Sequence, residues 1–252
     1  MQALAAAPLL AAALVLAAFP ALAADPAPGF SRWAVVIVSG DNEAAHADTP
    51  TEAFDNARRD VGKALVARGF SAANIAEFSV EPDRHPDTKP GPADLPQIAA
   101  GLKRLAAQAP DGCLVYLTSH GSPWGAVLGD KLLPPRVLAR TEVEACGGRP
   151  TVTVVSACFS GVYVPALAGP DRLVMTAARR DRSSFGCGES DQYPFFDACV
   201  LESLPAVADF PALAIRTRLC VTRREHEEGV APPSHPQTFV GAKFHSPHFA
   251  GG

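Results

Sequence analysis

Two stretches of the chain place reactive side chains where acyl-transfer chemistry needs them. In Tyr116-Leu117-Thr118-Ser119-His120-Gly121-Ser122 an apolar run leads straight into a histidine followed by glycine. In Val154-Val155-Ser156-Ala157-Cys158-Phe159-Ser160-Gly161 a second such run ends in a cysteine and small residues. A thiol becomes an effective nucleophile when an imidazole beside it handles its proton, and the same imidazole can then protonate a leaving group. Neighbouring parallel strands bring two such residues together if each sits at its strand's carboxyl end. Gly121 can offer its backbone N–H to a developing oxyanion with no Cβ in the way, and the N–H of Cys158 can supply a second donor. The catalytic set read from these residues is Cys158, His120 and Gly121. Competing chemistries lack their residues: there is no C-x-x-C, no H-E-x-x-H, and no Gly two before Ser160. No metal or organic cofactor is expected, and His235, His245 and His248 read as surface residues of a Pro/Gly-rich tail.

The elements that must hold these residues follow from periodicity. Trp33 to Ser39 is a continuous apolar, β-branched run, the pattern of a strand buried on both faces of a parallel sheet. Thr49-Pro50-Thr51-Glu52 reads as a capping box with Pro at the first helical position, and Phe54, Ala57, Val61, Ala64 and Leu65 follow at helical spacing up to a C-cap at Gly69. The alternation continues with a strand at 75–80, a surface loop at 81–92, a helix at 95–108, a strand at 113–118 and a helix at 135–145. Strands at 151–155 and 173–177 and a helix at 196–204 complete it, and Arg223 to Glu228 reads as a solvated face of mixed charge. Strands separated by helices imply right-handed crossovers and a mainly parallel sheet flanked by helices.

Thr118-x-His120-Gly121-Ser122 after one strand and Ala157-Cys158-x-Ser160-Gly161 after another resemble the legumain-like (asparaginyl endopeptidase) cysteine peptidases, relatives of the caspases and gingipains. A third stretch matches as well, Thr176 to Cys187 with Ser183-Ser184, followed by Tyr193-Pro194-Phe195-Phe196-Asp197. The resemblance spans Trp33 to about Leu204 and implies a caspase/hemoglobinase-like three-layer α/β sandwich. It also implies an endopeptidase in which Cys158 forms an acyl-enzyme thioester and His120 protonates the leaving amine, then activates water. In that family a Glu two residues before the nucleophile, a Ser-Ser pair and a later Asp shape the pocket for the P1 side chain. The matching positions here are Ser156, Ser183, Ser184 and Asp197, with Asn56 and Arg58 on the helix that supplies a pocket Arg. Ser183 and Ser184 also fit turn residues, Asp197 also fits a helix N-cap, and the family's supporting Asn is Asn42 or Asn56. Because Ser156 replaces the Glu, Asn specificity does not follow. A transpeptidase or ligase of the same fold, in which an amine resolves the thioester, and a catalytically silent peptide-binding module are the rival readings.

Composition bounds the rest. The 252 residues, 48% of them apolar, suffice for one sizeable core, so a single domain over 33–252 is expected. Residues 1–23 carry no charged side chain and end in Ala21-Leu22-Ala23, the form of a signal peptide with an A-x-A cleavage site, and 24–32 reads as a linker. The apolar run from Leu9 to Phe19 is shorter than the ~20 residues a spanning helix needs, so no membrane span is expected. A periplasmic or secreted protein follows, acting on peptides or proteins. The net charge of -4 argues against nucleic acid as a partner. The oligomeric state is open, and the short stretch after Cys220 is expected to hold no inhibitory prodomain. In an oxidising compartment some of Cys113, Cys146, Cys187, Cys199 and Cys220 should pair. Cys113 with Cys146 and Cys187 with Cys199 are the expected bridges.

Overall fold

The computed structural model describes residues 29–45 and 47–251, so the expected signal peptide and most of the expected linker lie outside the described residues. In chain order the main elements are β1 (Trp33–Ser39), α1 (Ala53–Ala67), β2 (Ile75–Ser79), β3 (Gly91–Pro92), α2 (Leu95–Gln108) and β4 (Gly112–Thr118). A small hairpin sheet follows, made of β5 (Gly121–Ser122), β6 (Gly125–Leu128) and β7 (Lys131–Leu133). Then come α3 (Pro135–Cys146), β8 (Thr151–Ser156), α4 (Val164–Leu167), β9 (Arg172–Thr176), α5 (Phe195–Ser203), α6 (Phe210–Glu227) and β10 (Gln237–Val240).

The central sheet has the order β10-β9-β8-β4-β1-β2-β3, parallel throughout except for β10, which runs antiparallel to β9. Successive strand residues point to opposite faces, and the strands divide their side chains accordingly. Val35, Ile37, Leu114, Tyr116, Val152, Val154, Leu173 and Met175 pack on one face against Val61 and Leu65 of α1, Phe196 and Val200 of α5 and Leu213 of α6. Val36, Val38, Val115, Leu117, Val155 and Val174 pack on the other against Ile98, Leu102 and Leu105 of α2, Leu138 of α3 and Leu167 of α4. This is the expected three-layer sandwich with a mainly parallel sheet. No helix of the described residues is long and apolar enough to cross a membrane.

Several local expectations are corrected. The helix α1 starts at Ala53, not at Pro50, because Thr49 and Pro50 are committed to a loop: Ala44 N–H donates to the Thr49 carbonyl at 2.8 Å and Thr51 N–H to that of Asn42 at 2.8 Å. The Thr51 hydroxyl then accepts from Ala53 N–H at 3.2 Å. The other end of α1 closes as expected, with Gly69 at φ +97 and Phe70 N–H reaching back to the Leu65 carbonyl. Phe30, counted with the linker, is only 1% exposed and sits in an aromatic cluster with Trp33, Phe70, Phe210 and Phe249. Glu225, read as part of a solvated face, is 3% exposed and accepts from Ser234 N–H.

Cys113 bridges Cys146, as expected, but Cys199 pairs with Cys220 and not with Cys187. The reason is α6, a helix absent from the expected set: it packs beside α5 and carries Cys220 to Cys199, leaving Cys158 and Cys187 as free thiols. The signal for α6 was present in Asp209, whose side chain caps Ala212 N–H, in Pro211 at the helix start, and in Phe210, Leu213, Ala214, Thr217, Cys220 and Val221 at helical spacing.

Replacing Phe30 by Ala should lower the unfolding free energy by about 3 to 5 kcal/mol, the cost of emptying an aromatic core site. Urea denaturation reads this out, and a loss below about 1 kcal/mol would return the segment to the status of a surface linker.

Candidate active site

Strands β4 and β8 are neighbours, with Thr118 in register with Ser156, so their carboxyl ends deliver His120 and Cys158 side by side. A Cβ on Gly121 would lie 2.2 Å from the Cys158 carbonyl oxygen and 3.0 Å from the Ala157 methyl. Only glycine lets the backbone after the histidine close onto the backbone at the cysteine. Immediately beyond Cys158, Phe159 adopts φ 58, ψ 9, a left-handed conformation that costs a bulky L-residue roughly 1–2 kcal/mol. The turn persists because its neighbours hold it. Phe159 N–H donates to the Arg182 carbonyl at 2.7 Å, Gly161 N–H donates to the Ala178 carbonyl at 2.8 Å, and the Ser160 hydroxyl accepts from Ala178 N–H at 3.1 Å.

The same 178–184 segment reaches the thiol. Ser184 N–H lies 3.2 Å from Cys158 Sγ and the Ser184 hydroxyl 3.6 Å, so two donors converge on the sulfur. On the other side, His120 Nε2 lies 2.9 Å from the Glu43 backbone carbonyl. A carbonyl only accepts, so Nε2 carries the hydrogen and Nδ1 holds the lone pair. The ring is steadied by Phe54, edge to face at a centroid distance of 5.0 Å. The Cys187 thiol faces Nδ1, with its Sγ 4.0 Å away, and burial first, then the charge of Cys158, pushes that thiol up to about 12. Cys187 and the loop holding Glu43 are tied together, since Ala45 N–H donates to the Cys187 carbonyl at 2.8 Å and the Thr51 hydroxyl to that of Gly188 at 2.8 Å.

The residues expected to line a P1 pocket are not gathered at one place. Ser184 touches the thiol, while Ser183 is exposed. Asn56 donates to the Gln192 carbonyl at 3.4 Å, and Arg58 is wholly buried in ion pairs with Asp55 and Glu77. Asp197 is neither a helix N-cap nor an open pocket wall: it lies inside α5 and is 0% exposed. Its carboxylate accepts from the Tyr116 hydroxyl, from Thr118 at 2.8 Å and from Ser156 at 2.7 Å. Burial, reinforced by this carboxylate, pushes the Tyr116 phenol well up and keeps it a proton donor. Tyr116 and Thr118, two apart on β4, and Ser156, opposite Thr118 on β8, form a polar row on an otherwise apolar face, a signal that could have located their partner. Among the described residues, the oxygen that hydrogen-bonds the imidazole is the main-chain carbonyl of Glu43, not the side chain of Asn42 or Asn56, and no residue type announces it.

Residues 93–209 match the family model of the Peptidase C13 family, the legumain family. That stretch is similar to the legumain family, and the fold that carries it is caspase-like. The structure resembles that of caspase-1 from Spodoptera frugiperda with a TM-score of 0.60 and 15% sequence identity, over 90% of this chain and 94% of that one. At that identity the likeness concerns the fold. No curated protein sequence matches the chain. Within the legumain-like stretch lie both strand ends and Asp197, and together with the fold this supports a cysteine peptidase acting on peptides or proteins.

Burial lifts the Asp197 carboxyl to about 6 from its ordinary 3.8, the three hydroxyls opposing that shift without cancelling it. The folded chain therefore holds this proton more tightly than the unfolded chain, so the associated stability is complete below pH 3.8 and lost as pH rises through about 6. Asp197→Asn cannot titrate. Urea unfolding across this window should show the variant gaining on wild type by on the order of 3 kcal/mol as pH rises. A difference that stays flat with pH would mean that Asp197 ionises like an exposed carboxylate.

Proposed function

We propose that the protein is an exported cysteine endopeptidase working through a Cys158–His120 dyad and a thioester intermediate. The observation that carries the reading is the closure of Gly121 onto the Cys158 carbonyl, which holds the histidine and cysteine strand ends together at the carboxyl edge of the sheet. Cys158 attacks the scissile carbonyl, and the N–H groups of Gly121 and Cys158 are the candidate donors to the oxyanion. His120, with Nε2–H anchored on the Glu43 carbonyl, takes the Cys158 thiol proton on Nδ1 and passes it to the leaving amine; it then takes a proton from the water that opens the thioester and returns it to the departing Cys158 sulfur. Two features agree with export, the cysteine pairs Cys113–Cys146 and Cys199–Cys220 and the leader-like sequence of residues 1–23.

Ser184 is the pocket candidate that meets the nucleophile, so we assign it the wall nearest the P1 side chain. Asp197 and Ser156 act from beneath, their hydrogen bonds directed to each other. Further substrate residues are assigned to a groove of about 900 Å³ bounded by Trp124, Pro135, Arg136, Pro165 and Arg180. Its walls come from the hairpin that follows His120, the start of α3, the turn that follows Cys158 and α4, and Trp124 stands 75% exposed at its edge. An aromatic ring with two guanidinium groups suits a peptide that carries apolar and acidic side chains.

Fluorogenic peptides varied at P1, assayed with wild type and Cys158→Ala, test the peptidase reading. Cleavage that disappears in the variant supports it, and equal cleavage by both, or none by either under reducing conditions, sinks it. For the groove, Trp124→Ala should raise KM for long acidic peptides by about tenfold, equivalent to ~1.4 kcal/mol, with short amide substrates unaffected. An equal effect on short and long substrates would place Trp124 outside the substrate path.

A further inference from the structure

The six cysteines divide sharply: four are joined as Cys113–Cys146 and Cys199–Cys220, and the two that remain free both belong to the candidate active site. Cys187 lies 4.0 Å from Nδ1 of His120, on the side of the imidazole left open by the Glu43 carbonyl. The chain also limits how far the two sulfurs can be separated. Ser184 N–H is 3.2 Å from Cys158 Sγ, and Cys187 follows Ser184 by three residues, a backbone span of at most about 11 Å even when fully extended. Cys187 stands between Gly186, at φ +86, and Gly188, in a segment without helix or strand. Glycines on both sides give this residue the backbone freedom to bring its Cα within the ~4.4–6.8 Å that a disulfide requires.

We propose that Cys158 and Cys187 are a paired modification site that a small-molecule disulfide converts into an internal disulfide, masking the catalytic sulfur. Cys158 gives its thiol proton to His120 Nδ1 and the resulting thiolate attacks one sulfur of the small disulfide; its S–S bond breaks, and the thiolate that leaves takes that proton from His120, giving a mixed disulfide on Cys158. His120 Nδ1 takes the proton from Cys187, whose sulfur attacks the Cys158 sulfur. The Cys158–Cys187 bond forms, the second small thiolate leaves, and it takes the proton from His120. One disulfide has been reduced to two thiols and the two protein thiols have been oxidised, so the exchange balances. Burial keeps Cys187 a neutral thiol until this second step, while the half-buried Cys158 meets the reagent first. A dithiol reverses both steps. The internal bond rests on the geometry alone, and its effect on turnover rests on the assignment of Cys158 as nucleophile.

The test uses the full chain, treated with glutathione disulfide under native conditions, with intact mass and cross-linked peptides read by mass spectrometry. The expected result is a peptide joining Cys158 to Cys187, loss of Cys158 labelling by a thiol-directed electrophile, and recovery of labelling with dithiothreitol. Cys187→Ser should instead retain one glutathione on Cys158, and Cys187→Ala serves in its place if the serine variant fails to fold. A stable glutathione adduct on wild-type Cys158, or a Cys158 thiol that does not react, overturns the proposal. Because the readout is mass, an internal disulfide together with cleavage that survives in Cys158→Ala would sink the peptidase reading and leave the modification site standing.

Discussion

Asp197 carries its carboxyl into a space closed to solvent, under the ends of the two strands that bear the reactive residues. Three hydroxyls from Tyr116, Thr118 and Ser156 satisfy it, and each of them is fixed by the register of β4 or β8. A buried carboxylate left short of a partner costs about 1–3 kcal/mol or more, so the helix α5, the strand β4 and the strand β8 hold one another in a single arrangement. The positions of His120 and Cys158 are consequences of that arrangement. Each lies two residues beyond a hydroxyl that the carboxylate holds. Helix α5 is in turn bound to α6 through Cys199 and Cys220, so the restraint extends from the active edge into the helical layer.

Much of this was readable in the sequence because its parts rest on local patterns. The buried strands read at 33–39, 113–118 and 151–155 declared themselves by continuous apolar runs and lie within one residue of the observed ones, and the helix read at 95–108 has the observed bounds of α2. Cys158 and His120 could be paired because a single crossover puts consecutive strand ends together. The losses came where meaning depends on distant neighbours. Asp197 has the same appearance in the sequence whether it faces substrate or a seam of hydroxyls, and only the sheet decides. The partner of Cys199 depended on a helix packing beside it. The strands of the small hairpin sheet, of two to four residues, are too short for any periodicity to register. The antiparallel edge strand β10 was hidden in a Pro-rich tail for the same reason.

The loops that complete the active edge come from four separate places in the chain: 43–51, 120–125, 158–161 and 178–188. They are held to one another mainly by backbone groups. Gly161 shows how tightly, since a Cβ there would stand 2.5 Å from the Arg180 nitrogen. Strain at Phe159 is sustained by this mutual contact, in keeping with the general tendency of active sites to store conformational cost that the surrounding fold absorbs. The rigid sheet supplies position, and the loops supply chemistry.

The support of His120 by the Glu43 carbonyl has a consequence for how such a site drifts over generations. A side-chain partner can be deleted by one base change, whereas every amino acid carries the same carbonyl. The letter at position 43 is therefore free to wander while the imidazole keeps its tautomer, and a scan that swaps one side chain at a time would pass over the position as indifferent. What the lineage cannot readily change is the path of the loop. An insertion or deletion between Ser39 and Thr51 would shift the acceptor by about 3.8 Å per residue, so in this segment heredity is kept in length more than in spelling.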